Sequence, residues 1–138
     1  MDMGSAFQSL NWLAVIAATL STFILGGIWY SPMMFGRAWM EAAGISEEKA
    51  KQANPATVYG GAFVLTLISA INLGMFVGPE SDLAYGITAG AAVGIGWIAT
   101  SFGIIYLFEQ RPRLHWFVNA SYMVVAFIIM GAILGAWK

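Results

Sequence analysis

The sequence predicts an all-α membrane protein with four transmembrane helices and a short interfacial amphipathic helix between the first and the second. Hydrophobic residues make up 59% of the chain and charged residues only 9%, whereas soluble domains carry about 25% charged residues. Four long windows contain no Asp, Glu, Lys or Arg. Because the spans and their connections use nearly every residue, we expect a single membrane domain over residues 1–138.

Each uncharged window is long enough to cross a bilayer as a helix. The predicted spans are 10–30, 56–77, 83–108 and 114–137. About 20 apolar residues, at about 1.5 Å rise each, match the roughly 30 Å hydrocarbon core of a bilayer. Strands of a membrane barrel are about half as long and alternate in polarity. Helices also satisfy their own backbone hydrogen bonds in lipid, so helices are the predicted form.

A short helix is expected directly after the first span. Ser31 is a potential amino-terminal cap with Pro32 in the first turn, which predicts a helix over about 32–43. Arg37 and Glu41 lie one turn apart on it, and Met, Phe and Trp side chains cover much of the remaining surface. This pattern is typical of an amphipathic helix that lies on the bilayer surface.

The other connections are polar and rich in turn residues. Gly44 is the expected end of the interfacial helix, and residues 45–54 form a polar linker. Asn54 is the expected cap of the second span, and either Ser81 or Asp82 caps the third. A proline in the last connection predicts a short hairpin between the third and fourth spans.

The basic residues predict the orientation of the chain in the membrane. Five of the six lie in the first and third connections, and the other side holds only Lys138. The five are Arg37, Lys49, Lys51, Arg111 and Arg113. The positive-inside rule therefore puts the first and third loops in the cytoplasm and both termini outside.

Glycines spaced four residues apart predict close helix packing. The third span repeats Gly86, Gly90 and Gly94, and the fourth contains Gly131 and Gly135. Small side chains let helix backbones approach closely in lipid, where water supplies no drive for association. The pattern is compatible with packing inside one chain or between chains. We expect an intermolecular contact on the third span, since three glycines in register exceed what one neighbour needs, and hence a homo-oligomer or a larger membrane complex.

Uncharged polar residues inside the spans are the candidate functional residues. They are Thr66, Ser69, Asn72, Thr100, Ser101, Asn119 and Tyr122. The predicted spans contain no Asp, Glu, Lys or Arg, which argues against proton-coupled transporters and pumps. The polar groups either line a pathway for a small solute or form hydrogen bonds between helices and within them. The second role is the more common one.

Cofactor and catalytic roles have little support in the sequence. His115, the only histidine, lies at the predicted cytoplasmic boundary and is a weak candidate for a haem or pigment ligand, so we predict no metal and no cofactor. Arg37 and Trp39 are expected to contact lipid or the protein itself. The ionisable groups near the cytoplasmic side are too few to favour an enzyme. The net charge of −1 argues against a nucleic acid partner.

Two strings resemble a known family, NWLAVIAATLSTFILGGIWYSPMMFGRAWM and VNASYMVVAFIIMGAILGAW. They are similar to the family catalogued as domain of unknown function 1761, and the resemblance covers essentially the whole chain. Its most specific parts are Asn11-Trp12, the break at residues 29–32 and the closing segment 131–137. The resemblance implies a small four-helix protein of the bacterial cytoplasmic (inner) membrane, with no established activity.

The sequence therefore predicts a non-enzymatic structural or accessory protein that associates with itself, with lipid or with a larger complex. The alternative is a passive channel or facilitator for a small neutral or anionic solute. One bundle of 138 residues is too thin to enclose much of a pathway. Any transport is therefore expected at or between subunits of an oligomer.

Overall fold

A computed structural model describes residues 2–138, and it is all-helical over that range. Four of its helices are long and apolar enough to cross a membrane, which confirms the prediction of four such helices. The first to fourth spans are Trp12–Trp29, Pro55–Val77, Leu83–Phe108 and Arg113–Ala136. Consecutive spans run in opposite directions. We call the end with connections 30–54 and 109–112 the basic end, and the opposite end the terminal end.

The spans account for most, but not all, of the helical segments. In chain order these are α1 (Met3–Gln8), α2 (Trp12–Trp29), α3 (Gly36–Ala43), α4 (Glu47–Gln52), α5 (Pro55–Val77), α6 (Leu83–Val93), a π-helix (Gly94–Ala99), α7 (Thr100–Phe108) and α8 (Arg113–Ala136). The third span thus comprises α6, the π-helix and α7. The helix α4 lies inside the predicted polar linker, where the Ser46 side chain caps it.

Side chains and one glycine fix several helix ends where the sequence predicts them. Asn54 and Asp82 each accept, through the side-chain Oδ1, a backbone N–H of the first turn that follows. Gly44 ends α3 in the left-handed conformation, with φ of 72°, which favours glycine because it lacks a Cβ.

The helix after the first span begins later than the sequence predicts. The expected range was 32–43, but α3 begins at Gly36, and the preceding residues form turns. The Ser31 hydroxyl donates back to the Ile28 carbonyl at 2.7 Å, so it does not cap a new helix. A Cβ at residue 36 would meet the carbonyl oxygens of Tyr30 and Ser31, and this close approach requires glycine.

The apolar core lies in the terminal half of the bundle. Its buried members come from the first half of α2, the end of α5, α6 and the second half of α8, which meet because the spans alternate in direction. They are Ala14, Val15, Ala18, Ala70, Leu73, Val77, Ala89, Phe127, Met130 and Leu134. Packing is therefore dense near the termini and looser toward the basic end.

The third and fourth spans make the closest helix contact, through glycine. Gly86 faces Gly131 and Gly135, so that backbone meets backbone. A Cβ at Gly90 would meet the Phe127 carbonyl oxygen, and one at Gly94 would lie 2.9 Å from the Cα of Val124. The expectation that these three glycines form an intermolecular face is wrong, because the fourth span of the same chain occupies that face.

Hydrogen bonds close the terminal end. Lys138 Nζ donates to the Gly78 carbonyl at 2.8 Å and to Ser81 Oγ at 2.6 Å. Burial lowers the pKa of Lys138, and the Asp82 carboxylate opposes that shift. The connection between the second and third spans is thereby tied to the end of the fourth.

Replacing Gly90 with alanine tests the contact between the third and fourth spans. We expect a loss of about 1–3 kcal/mol in the free energy of unfolding, because the added methyl group forces two backbones apart. Unfolding in mixed detergent micelles, followed by circular dichroism, measures it. Gly96→Ala is the matched control, since a Cβ at Gly96 meets nothing within 4 Å. Equal stability of the two variants would contradict the packing described.

Candidate functional site

A cleft of about 740 Å³ opens in the half of the bundle near the basic end. We call it the aromatic cleft. All four spans and α3 contribute to its walls, and its polar lining includes Tyr30, Tyr59, Thr66, Tyr106, Asn119 and Tyr122. The lining residues carry no charged side chain. Its size falls within the range of small-molecule sites, about 300–1,000 Å³.

The cleft exists because the second span packs along only part of its length. Ala70, Leu73 and Val77 near its end are buried in the core, whereas residues 55–61 at its start are exposed. Tyr59 lines the cleft and is still 65% exposed. The second span therefore diverges from the bundle toward the basic end, and the cleft fills the gap.

Three side chains form a hydrogen-bonded relay along one wall, one directly after the first span and one each from the third and fourth spans. Tyr30 Oη donates to Asn119 Oδ1 at 2.7 Å, and Asn119 Nδ2 donates to Tyr106 Oη at 3.1 Å. We call this the Tyr30–Asn119–Tyr106 relay. It joins the end of the first span to the third and fourth spans. Because lipid offers a carboxamide no hydrogen-bond partner, the two phenols stabilise the Asn119 side chain at this position in the membrane.

A fourth polar side chain, Tyr122, anchors the floor of the cleft. Its Oη donates to the Thr22 carbonyl at 2.9 Å, and its ring packs edge-on against Tyr30 at 5.2 Å between centroids. Gly26 leaves room for the phenol, since a Cβ there would lie 3.2 Å from Tyr122 Oη. The first and fourth spans are thus joined through aromatic contacts as well as hydrogen bonds.

The π-helix changes the surface that the third span presents along its length. A π-turn holds more residues than an α-turn, so it rotates the following segment about the helix axis. Before it, the glycines of α6 face the fourth span; after it, Tyr106 of α7 faces the cleft. Trp116 Nε1 donates to the Ala99 carbonyl at 2.9 Å, which ties the end of the π-helix to the fourth span.

The predicted polar residues do not lie together in the structure. Thr66, Asn119 and Tyr122 line the cleft, and Ser69 is half-buried on the second span. The other three are exposed on the outer surface of the bundle, and they are Asn72, Thr100 and Ser101. Asn72 and Thr100 each donate a hydrogen bond to a carbonyl of their own helix, at 2.8 Å in both cases.

Tyr30 and Tyr106 are site residues that the sequence did not predict. Both lie near predicted span ends, where aromatic side chains are common as interface anchors. Their position in the sequence therefore indicates an anchor and gives no sign of a role in a site. The only usable signal was depth: the two phenols end the first and third spans near the level at which Asn119 enters the fourth. An amide needs partners in lipid, and the two phenols are within its reach.

His115 packs against one member of the relay, Tyr106. Its ring stacks on Tyr106 with 4.6 Å between centroids, and the residue is only 8% exposed. Its Nδ1 has no hydrogen-bond partner within residues 2–138. Over the same residues there is no cluster of three or more His, Asp or Glu side chains that could hold a metal ion.

The two predicted lipid or structural contacts differ in position. Trp39 lines the cleft and packs edge-on against Tyr30, with 5.2 Å between centroids. Arg37 is exposed, and the ion pair found within residues 2–138 joins Arg111 to Glu109 instead. Trp39 therefore makes a contact within the protein, whereas Arg37 is oriented toward the surroundings.

A double-mutant cycle tests the relay. We expect Tyr30→Phe and Asn119→Leu to show a coupling of about 1 kcal/mol in the free energy of unfolding, since such bonds within membranes are worth about 0.6–1.7 kcal/mol. Chemical unfolding in micelles measures each variant. Tyr59→Phe with Asn119→Leu is the control cycle, because Tyr59 lines the same cleft without bonding Asn119. Additive losses in the first cycle would show that the relay contributes nothing.

Comparison with known proteins gives one match. No curated protein and no solved structure matches the chain. A family model described as "Protein of unknown function (DUF1761)" matches residues 13–135, a range that includes every residue of the relay. This confirms the resemblance found in the sequence. The chain therefore belongs to the DUF1761 family of proteins of unknown function.

Proposed function

We propose that this small membrane protein is a non-enzymatic, self-associating structural or accessory protein. The observation that carries the proposal is the position of one carboxamide. Asn72 is exposed on the outer surface of the second span, about one and a half turns before the span ends at Val77. In a single chain this amide faces lipid.

The hydrogen-bonding groups of the Asn72 carboxamide are only partly satisfied within residues 2–138. Its Nδ2 donates to the Ile68 carbonyl of the same helix at 2.8 Å, and no hydrogen bond from residues 2–138 reaches its Oδ1. A polar group left without a partner in hydrocarbon costs up to several kcal/mol. A donor on a neighbouring chain would remove that cost, so the amide favours association of helices.

The surface around Asn72 is suited to a second helix. Thr57, Gly61, Val64 and Ile68 precede it at spacings that place them on one face of α5, and all are exposed. A Cβ at Gly61 would meet nothing within 4 Å, so another backbone could approach there. The second span therefore has small residues available for self-association, and this face points away from the aromatic cleft.

Replacing Asn72 with leucine tests the proposed association. We expect the subunits to associate about tenfold more weakly, because one interhelical hydrogen bond is lost. Energy transfer between labelled chains in lipid bilayers measures the dissociation constant. Thr88→Val is the matched control: Thr88 is exposed on the third span, and its hydroxyl already bonds Ala84 O at 2.8 Å. A monomeric wild type, or unchanged association of the leucine variant, would overturn the proposal.

The geometry favours association over conduction. The aromatic cleft ends against the apolar core, where Val15, Ala70 and Met130 fill the space between the spans. A solute crossing one chain would have to pass this packed region. The alternative function, passive passage of a small neutral or anionic solute, therefore requires a path between subunits. Solute flux into liposomes that persists in the monomer would contradict this view.

We also propose that the basic end faces the cytoplasm in the bacterial inner membrane, with α3 at the interface. The distribution of basic residues supports the orientation. Exposed Arg37 and Glu41 on α3, together with Met33 at 91% exposed just before it, support a helix lying at the boundary of lipid and water.

Single introduced cysteines test this orientation, because the chain has no cysteine of its own. We expect a membrane-impermeant maleimide to label Ser5→Cys on intact, right-side-out inner-membrane vesicles. Lys49→Cys should be labelled only after the membrane is permeabilised. Mass spectrometry of the modified chain gives the readout. Labelling of both positions from the same side would contradict the proposed topology.

A further inference from the structure

The relay leaves one phenol proton unused in the aromatic cleft. Tyr30 donates to Asn119, and Asn119 donates to Tyr106, so the Tyr106 hydroxyl accepts one bond and still has its own proton to give. Turning the carboxamide over reverses the chain and moves the free proton to Tyr30. In either arrangement one hydroxyl at the cleft wall remains a donor, and the bonds behind it strengthen its polarity.

Flat aromatic surfaces surround this donor. Trp39 and Tyr122 pack against Tyr30, each with 5.2 Å between ring centroids, and Phe102 stacks on Tyr106 at 5.7 Å. All five rings line the cleft. Such walls favour a planar, unsaturated ring, which stacks on one face or meets an edge.

The cleft excludes charged ligands and has room for an apolar tail. Its lining contains no Asp, Glu, Lys or Arg to neutralise an ion or a phosphate in a medium of low dielectric constant. On the side of the second span, Tyr59 and Thr66 form the wall while α5 hardly touches α7. The apolar tail of a bound ligand could therefore extend from the cleft into the bilayer between these helices.

We propose that the aromatic cleft binds an uncharged amphipathic molecule with a carbonyl oxygen on a flat ring and an apolar tail, the chemistry of a lipid-soluble quinone. The ring carbonyl accepts the free phenol proton at Tyr106 or Tyr30. The ring lies among the aromatic side chains, and the tail extends between the second and third spans. The site lies on the opposite face of α5 from Asn72, so the proposal stands independently of self-association.

An acyl chain of a phospholipid is the competing occupant. It would fill the apolar volume but leave the phenol hydroxyl without an acceptor, whereas a ring carbonyl satisfies it. Loss of a buried hydrogen bond of this kind weakens binding about two- to tenfold. The two occupants are distinguishable because only the quinone-like ligand depends on a carbonyl oxygen on a ring.

Photolabelling of the full chain tests the proposal. The probe is an azide-bearing benzoquinone with a decyl tail, added to the purified protein in lipid nanodiscs, and mass spectrometry maps the adducts. We expect adducts on peptides that contain Tyr30, Tyr106 or Tyr122. Unlabelled decyl-benzoquinone should compete, while decylbenzene, with the same tail and ring but no carbonyl, should not. Adducts spread over the outer surface, or equal competition by decylbenzene, would overturn the proposal.

Gly27 offers a variant that fills the cleft without disturbing the fold. It lines the cleft, and a Cβ there meets nothing within 4 Å, so Gly27→Leu places a side chain in the ligand volume and suits the helix. We expect at least a tenfold loss of labelling. Gly96→Leu is the control, since Gly96 is equally open and lies outside the cleft lining. Unchanged labelling of the Gly27 variant would place the probe elsewhere.

The phenols themselves supply the second variant. Tyr30→Phe with Tyr106→Phe keeps both rings and removes both hydroxyls, and we expect affinity for decyl-benzoquinone to fall about tenfold. The ligand-induced rise in the thermal unfolding midpoint measures affinity in each folded variant. Tyr85→Phe, at the terminal end, is the matched control and should bind as the wild type does. A double variant that binds equally well would refute the role of the free phenol proton.

Discussion

The glycine contact between the third and fourth spans is the constraint on which the rest of the structure depends. In lipid, apolar side chains gain little by leaving one hydrocarbon surface for another, so close van der Waals contact must hold the helices together. Gly86 and Gly90 allow that contact on one side, and Gly131 and Gly135 on the other. These two spans form a closely packed pair, and the first and second spans assemble on it.

That pair sets the shape of the remaining space. The first span packs on the fourth along its whole length, from the core at Val15 to the tyrosine contacts at the basic end. The second span packs closely only near its end, where its residues Ala70 and Val77 are buried. Closer to the basic end, beyond its π-helix, the third span presents Tyr106 to the cleft instead of glycine. The cleft is therefore the consequence of where close packing stops.

The sequence predicted the fold closely because one property, the absence of charge over long windows, decides which segments enter lipid. The span limits and the caps at Asn54 and Asp82 follow from local chemistry alone. Two features could not be predicted in the same way. The start of α3 depends on a backbone approach at Gly36, and the π-helix depends on packing between spans. Neither leaves a periodic signal in the sequence.

The site was predicted only in part, because the sequence gives the depth of a polar residue but not the face on which it lies. Asn72 and Asn119 have the same chemistry and similar surroundings in sequence. Within residues 2–138, Asn119 forms hydrogen bonds with two phenols across the bundle, whereas Asn72 forms one only with its own helix. The first amide therefore organises the interior of the chain. The second has a carbonyl oxygen without a partner within residues 2–138, and this is the reason that we propose it as a contact between chains.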